Sequence, residues 1–257
     1  MTLDPLALHG LPVLVTGASS GIGRETAILL SELGARVVLA GRDQQRLEET
    51  RSRLRGEGHA LEAFDLAESL DALPAWIKGI AGRMGPLHGL VHCAGVFQFL
   101  PLQMCTAPRL EAMFRVNVMS AILLVKGFRQ QGCAAPGGSV VLMSSAAGIA
   151  GQPGISVYSA SKAALIGFMR SAALELAPQK LRINCVAPGV VESEMSVRSR
   201  EALTPEQFQA IEERHPLGLG TTRDVACAAA YLLAKTGRWI TGTTLILDGG
   251  FTATQRM

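Results

Sequence analysis

The chain is poor in the features that mark a secreted, metal-bound or membrane-spanning protein. It has five cysteines in 257 residues (Cys93, Cys105, Cys133, Cys185 and Cys227), odd in number, widely spaced and without a CxxC pair. That spacing excludes a disulfide framework and a cysteine zinc site. It fits a reducing compartment, where such residues serve as small buried hydrophobes, and no metal is expected. Charged residues make up only 18% against 48% hydrophobic, a balance that excludes a largely disordered chain. The formal net charge is +3, with 21 acids scattered among 24 basic residues. Without a basic stripe there is no electrostatic footprint for nucleic acid. No uninterrupted apolar run approaches the ~18 residues of a membrane-spanning helix. The opening Met1-Thr2-Leu3-Asp4-Pro5 lacks the basic start of a signal peptide, so the expected location is the cytoplasm.

What the chain does have is alternation. Apolar runs rich in β-branched residues lie at Val13-Leu14-Val15, Val37-Val38-Leu39, Leu90-Val91, Val140-Val141-Leu142, Ile183 to Val186 and Leu245-Ile246-Leu247, with a weaker one from Ala60 to Phe64. Such runs suit strands buried on both faces, as in parallel sheets. Between them lie amphipathic stretches of helical length, among them Glu25 to Leu33, Gln44 to Leu54 and Ala107 to Phe128. The pattern predicts an α/β fold in which residues 1–257 form one doubly wound (Rossmann) domain. Its parallel sheet should have about seven strands, with helices on both faces. From Val191 to Gly220 no strand-like run appears, only polar helix formers punctuated by Pro205 and Pro216. An insertion at that point would lie over the carboxyl edge of the sheet, where ligands bind.

The first strand runs into Thr16-Gly17-Ala18-Ser19-Ser20-Gly21-Ile22-Gly23. Glycines there let the backbone turn tightly and approach a pyrophosphate, whose charge is met by helix N-terminal amides. After the second strand comes Gly41-Arg42-Asp43. A site for NAD usually places an acid at this point to hold the ribose 2′-hydroxyl. Gly41 leaves room instead, and the planar fork of Arg42 can pair with a 2′-phosphate, which favours NADPH over NADH. Asp43 would serve the ribose if the strand ended later.

Tyr158 and Lys162 are four residues apart on a helix predicted from about Val157 to Ala177, and so share one face. A neighbouring ammonium favours the phenolate of a tyrosine, making it a proton donor and acceptor near neutral pH. Tyr231 and Lys235 repeat the spacing. Ser145, at the end of a strand thirteen residues before Tyr158, distinguishes the first pair. Tyr231 is expected to be a packing residue.

Taken in order, the Thr16–Gly23 turn, Asp65-Leu66, Ala94-Gly95, Asn117, Ser144-Ser145, Tyr158-x-x-x-Lys162, Pro188-Gly189 and Asp248-Gly249-Gly250 resemble the short-chain dehydrogenases/reductases over nearly the whole chain. The segments from Asn184 to Gly189 and from Ile240 to Gly250 look most like 3-oxoacyl-(acyl carrier protein) reductases. The resemblance implies that Tyr158 is the general acid in ketone reduction and the base in the reverse direction. Lys162 would hold the nicotinamide ribose and tune Tyr158, Ser145 would hydrogen-bond the substrate carbonyl, and Asn117 would order a water relay behind Lys162. Asp65 and Leu66 should meet the adenine, Ala94 and Gly95 line the cofactor cleft, and Pro188, Gly189 and Val191 lie beside the nicotinamide. Ser193 would supply the hydroxyl for the carboxamide where the family usually has Thr. His92-Cys93-Ala94-Gly95 stands where the family usually has Asn-Asn-Ala-Gly, and His215 to Leu219 lacks a basic residue often found there in the acyl carrier reductases.

Val96, Phe97, Ala147, Ile149, Gln152 and the insertion are expected to line a mostly apolar substrate pocket suited to a ketone or acyl thioester. Arg129 and Lys180 are candidates for meeting an acidic acyl carrier protein. The resemblance also implies a homotetramer built on helices at Ala107–Gln131 and Gln152–Ala177, where Ala160, Ala163, Ala164 and Gly167 permit close approach. The alternatives on the same scaffold are a secondary-alcohol, sugar or steroid dehydrogenase and a non-catalytic dinucleotide sensor.

Overall fold

Each predicted apolar run forms a strand in the computed structural model, which describes residues 4–200 and 204–253. Residues 201–203 of the expected insertion and residues 1–3 of the N-terminal segment lie outside the described residues. The strands are β1 (Pro12–Thr16), β2 (Arg36–Gly41), β3 (Ala60–Ala63), β4 (Leu87–His92), β5 (Ala134–Met143), β6 (Arg182–Pro188), β7 (Val191–Glu192), β8 (Gly220–Thr221) and β9 (Thr244–Leu247). Among the described residues seven of them form one parallel sheet in the order β3-β2-β1-β4-β5-β6-β9. All of β1 and β6 is buried, as expected for strands covered on both faces.

The helices are α1 (Gly21–Glu32), α2 (Gln44–Arg51), α3 (Leu73–Met84), α4 (Ala107–Phe114), α5 (Ser120–Phe128), α6 (Ser156–Leu176), α7 (Glu194–Arg200), α8 (Pro205–Glu213) and α9 (Thr222–Leu233). One face of the sheet packs against α3, α5 and α6 through Leu73, Ile77, Leu124, Phe128, Leu165 and Met169. The other packs against α1 and α9 through Ala27, Leu30, Val225, Ala229 and Leu233. Burying each Val or Leu side chain contributes roughly 2 kcal/mol, which makes these two layers the main stabilising element. The C-terminal end of α9 is held by Arg182, buried at the start of β6. Its guanidinium donates to the carbonyls of Leu232 (2.7 Å) and Gly237 (2.8 Å). A cation at a helix C-terminus also meets the negative end of the helix dipole.

Three expectations need correction. The expected helix from Gln152 begins at Ser156, because Pro153 and Gly154 (φ 81°) break the segment before it. The insertion does contain strand. Val191 and Glu192 pair in parallel with Gly220 and Thr221, a ladder too short to show a period in sequence, and it clasps the two ends of the insertion together. Tyr231 is no packing residue: it stands 40% exposed on α9, and the helix ends before Lys235, so that pair does not share a helix face.

Strand order reverses between β1 and β4, the switch point where ligands enter doubly wound sheets. Gly17 follows β1 there in left-handed backbone (φ 68°), and a Cβ on it would lie 2.7 Å from the amide nitrogen of Ala94 after β4. The two loops touch, so only glycine fits.

Candidate active site

The carboxyl ends of β4 and β5 deliver Gly95 and Ser145 to the crevice, and α6 faces them with Tyr158 and Lys162. Ser144 Oγ donates to the Lys162 carbonyl at 2.9 Å, tying the β5 loop to α6. Ser145 Oγ accepts from Ala147 N at 3.1 Å, which fixes its side chain, and its hydroxyl acts on the Tyr158 phenol beside it. Lys162 Nζ lies 5.7 Å from the centre of the Tyr158 ring and donates to the Met143 carbonyl at 2.9 Å. Phe97 meets the Tyr158 ring edge to face, 4.9 Å between centroids.

Asn117 reaches this group through a local irregularity. Between α4 and α5 the chain makes a π-helical turn, Arg115–Met119, inside what the sequence shows as one helix from Ala107 to Phe128. Such turns re-aim side chains and recur at functional sites. Asn117 Oδ1 accepts from Val96 N at 2.8 Å, and its Nδ2 donates to the Val96 carbonyl and to Ser161 Oγ, both at 3.0 Å. Ser161 was not singled out in the sequence. It sits three residues after Tyr158 on the same helix, a spacing that marks it as a neighbour.

Burial governs the titration of the site. It pushes the Tyr158 phenol up to about 12, opposed by the Ser145 hydrogen bond. It pulls the Lys162 ammonium down to about 8. The expected lowering of Tyr158 by its lysine neighbour is therefore overridden by desolvation. Cys93 is held by the same burial at about 12, an inert thiol.

The glycine turn meets α1 at Ser20, which precedes the helix in extended backbone with no side-chain cap. The amide of Gly21 donates to Glu194 Oε2 at 2.9 Å. Thr16 is fully buried, and its hydroxyl bonds His92 Nδ1 at 2.8 Å. Arg42 is 73% exposed, with Nη1 3.9 Å from Asp65 Oδ2. Asp43 caps α2 by accepting from Arg46 N at 3.1 Å, so its carboxylate is committed to the helix. Asp65 Oδ1 accepts from Ala67 N at 2.8 Å, and Leu66 is buried in the core beside Leu70.

Pro188 ends β6, and Val191 is buried in the short ladder. Ser193 accepts from Ser196 N at 3.2 Å at the start of α7. His215, missed in sequence, joins this turn to the insertion. Its Nδ1–H donates to the Ile211 carbonyl at 2.7 Å and its Nε2 accepts from Val190 N at 3.2 Å, while the ring stacks on Phe251.

The residues fit a nicotinamide dinucleotide. At Gly95 a Cβ would stand 3.3 Å from both Asn117 Oδ1 and Lys162 Nζ, so the glycine keeps a polar recess open beside those two side chains. On the substrate side Ile149 is exposed, and Val96, Phe97 and Gln152 are half-buried. Arg129 and Lys180 do not flank the crevice. They share a groove beneath the starts of β5 and β6, the opposite edge of the sheet, and Arg129 pairs with Glu175 at 3.7 Å. Among the described residues no cluster of His, Cys, Asp or Glu could hold a metal ion, and no helix is long and apolar enough to cross a membrane.

The sequence profile of a family described as Enoyl-(Acyl carrier protein) reductase matches residues 17–252. The chain is 32% identical over 244 residues to a 3-oxoacyl-[acyl-carrier-protein] reductase of Rickettsia prowazekii, covering 95% of this chain and 97% of the relative. It is 34% identical over 251 residues to a glucose 1-dehydrogenase of Gluconobacter oxydans, covering 95% and 92%. Among solved structures, a putative 2-deoxy-D-gluconate 3-dehydrogenase of Agrobacterium tumefaciens with bound NADP superimposes with a TM-score of 0.86 at 27% identity, covering 98% of this chain and all of the other.

Proposed function

The chain belongs to the short-chain dehydrogenase/reductase family, enzymes that act on CH–OH and keto groups with a nicotinamide dinucleotide. From that premise we propose that it reduces a ketone to a secondary alcohol with NADPH, and that the ketone is a 3-oxoacyl thioester. The observation that carries the reading is the convergence of Ser145, Tyr158 and Lys162 on one wall, backed by Asn117.

The dinucleotide, when bound, supplies the hydride. The protein manages the charge that appears on oxygen. A carbonyl gaining hydride becomes an alkoxide and needs a positioned proton donor. Ser145, locked by Ala147 N, holds the carbonyl oxygen next to the Tyr158 hydroxyl. Tyr158, protonated up to about pH 12, hands its proton to that oxygen. Lys162 contributes a positive charge beside the ring as the phenolate forms. Asn117 fixes the Val96 backbone and Ser161, keeping the floor of the site rigid.

Two observations favour NADPH. Asp43 is engaged as a helix cap, so the acid that would hold a ribose 2′-hydroxyl is occupied. Arg42 projects exposed at the end of β2 with Gly41 beside it, ready for a 2′-phosphate. The apolar Val96, Phe97 and Ile149 support an acyl chain over a sugar. The likeness to a glucose 1-dehydrogenase supports the second reading, a polyol or sugar dehydrogenase running toward oxidation.

A panel of short 3-oxoacyl thioesters, simple ketones, aldoses and secondary alcohols, each assayed with NADPH and NADH, tests the proposal. It predicts the highest kcat/KM for NADPH with the thioester. Turnover confined to sugars with NAD would overturn it.

A further inference from the structure

Three groups of different origin converge on one carboxylate. Glu194, the first residue of α7, accepts from the backbone amide of Gly21 at 2.9 Å through Oε2. Its Oε1 lies 3.6 Å from Arg24 Nη1 and 3.6 Å from Arg46 Nη2. Gly21 opens α1 at the glycine turn, Arg24 follows one turn later and Arg46 stands in the first turn of α2. A free amide at a helix N-terminus flanked by two guanidinia is phosphate-binding chemistry. Here a carboxylate 173 residues away in sequence is seated on it.

We propose that Glu194 is an internal counter-anion of the dinucleotide site, holding α7 across the glycine turn and setting cofactor affinity by competing with the dinucleotide's phosphates for Gly21 N–H, Arg24 and Arg46. The inference rests on the reading that this crevice takes a dinucleotide. Its parts are arranged for exchange. The Glu194 side chain is 43% exposed, so its ion pairs are weak and screened by solvent. Arg24 stays in place without it, because Nη2 donates to the Ser19 carbonyl at 2.5 Å, Nε to Thr50 Oγ1 at 3.2 Å, and Glu49 lies 3.8 Å away. Arg46 pairs with Glu194 from the first turn of α2, which Arg42 precedes, so once released it adds positive charge where a 2′-phosphate would be met. The pyrophosphate bridge carries two negative charges to the carboxylate's one, and it wins the amide. Glu194, and with it α7, must then let go of α1. Cofactor uptake and the seating of α7 against α1 are thereby coupled through one side chain.

The test uses Glu194→Gln, which keeps the shape but gives up the charge, and Glu194→Asp, which keeps the charge but is one methylene too short for Gly21. Calorimetric titration should show NADPH binding about tenfold tighter to Glu194→Gln than to the wild type, and NADH about threefold tighter, with Glu194→Asp in between. In the ligand-free protein, amide hydrogen exchange at Gly21 and in α7 should speed up in Glu194→Ala. Affinity unchanged or weakened in a Glu194→Gln protein that melts like the wild type would overturn the proposal, as would unchanged exchange in Glu194→Ala. If the wild type bound no dinucleotide, the cofactor reading would fail on its own. Inorganic pyrophosphate is then the probe: tighter binding to Glu194→Gln upholds the counter-anion role and equal binding refutes it.

Discussion

Thr16 and His92, register partners at the carboxyl ends of β1 and β4, share a hydrogen bond of 2.8 Å between Oγ1 and Nδ1 that closes the switch point of the sheet from inside. The same hydroxyl accepts from Ala94 N at 3.3 Å. On the far side of the ring, Nε2 lies 3.4 Å from Ser120 Oγ, which donates to the Val116 carbonyl at 2.5 Å. This network assigns a neutral imidazole with its proton on Nε2. It braces the glycine turn against the π-helical turn that carries Asn117.

Burial, helped by the charge on Lys162, pulls His92 down to about 3. An unfolded histidine titrates near 6.5. As pH falls from about 6.5 toward 3, the unfolded state takes a proton that the folded state refuses, so stability is lost over that window. Between pH 7.5 and 5 the wild type should lose about 2 kcal/mol more than His92→Asn, the residue this family usually carries. Urea unfolding at the two pH values measures it. Equal losses in the two proteins would refute the assignment.

The alkaline side of the rate profile should belong to Lys162. Its pKa is lowered to about 8, whereas Tyr158 keeps its proton up to about 12. Reduction needs the ammonium and the phenol together, so kcat/KM for the cofactor, which reports the free enzyme, should fall above about pH 8. Lys162→Arg keeps its charge throughout that range, and whatever activity remains should show no such fall. An alkaline limb unchanged in Lys162→Arg would assign it to another group.

Arg42 should decide between cofactors. Arg42→Ala should weaken NADPH binding by about tenfold or more and leave NADH within about twofold, because only the former carries a 2′-phosphate for its fork. Equal losses for both would move the discrimination elsewhere.

Much of this was legible because its signals are local. β-branched runs buried on two faces gave the strands, and four-residue spacing put Tyr158 and Lys162 on one helix face. What stayed hidden depends on pairings between distant residues. Nothing near Glu194 announces that it caps a helix 173 residues earlier, and nothing near Arg182 announces that it will bind the carbonyls ending α9. A continuous apolar period from Ala107 to Phe128 conceals the π-helical turn, since one extra residue in a helix leaves the hydrophobic stripe nearly intact. The Tyr158 pKa departs from its local expectation for a similar reason. Spacing shows the lysine beside it, but desolvation depends on the whole fold.

The most direct test of the account is Tyr158→Phe, assayed with NADPH and the fastest-reduced carbonyl, with NADPH affinity measured on the same sample. Removing the proton donor should lower kcat by about a hundredfold to ten-thousandfold while NADPH still binds and the melting temperature holds. A Tyr158→Phe enzyme that turned over at near wild-type rate would contradict the proton-donor role at the centre of the proposed reaction.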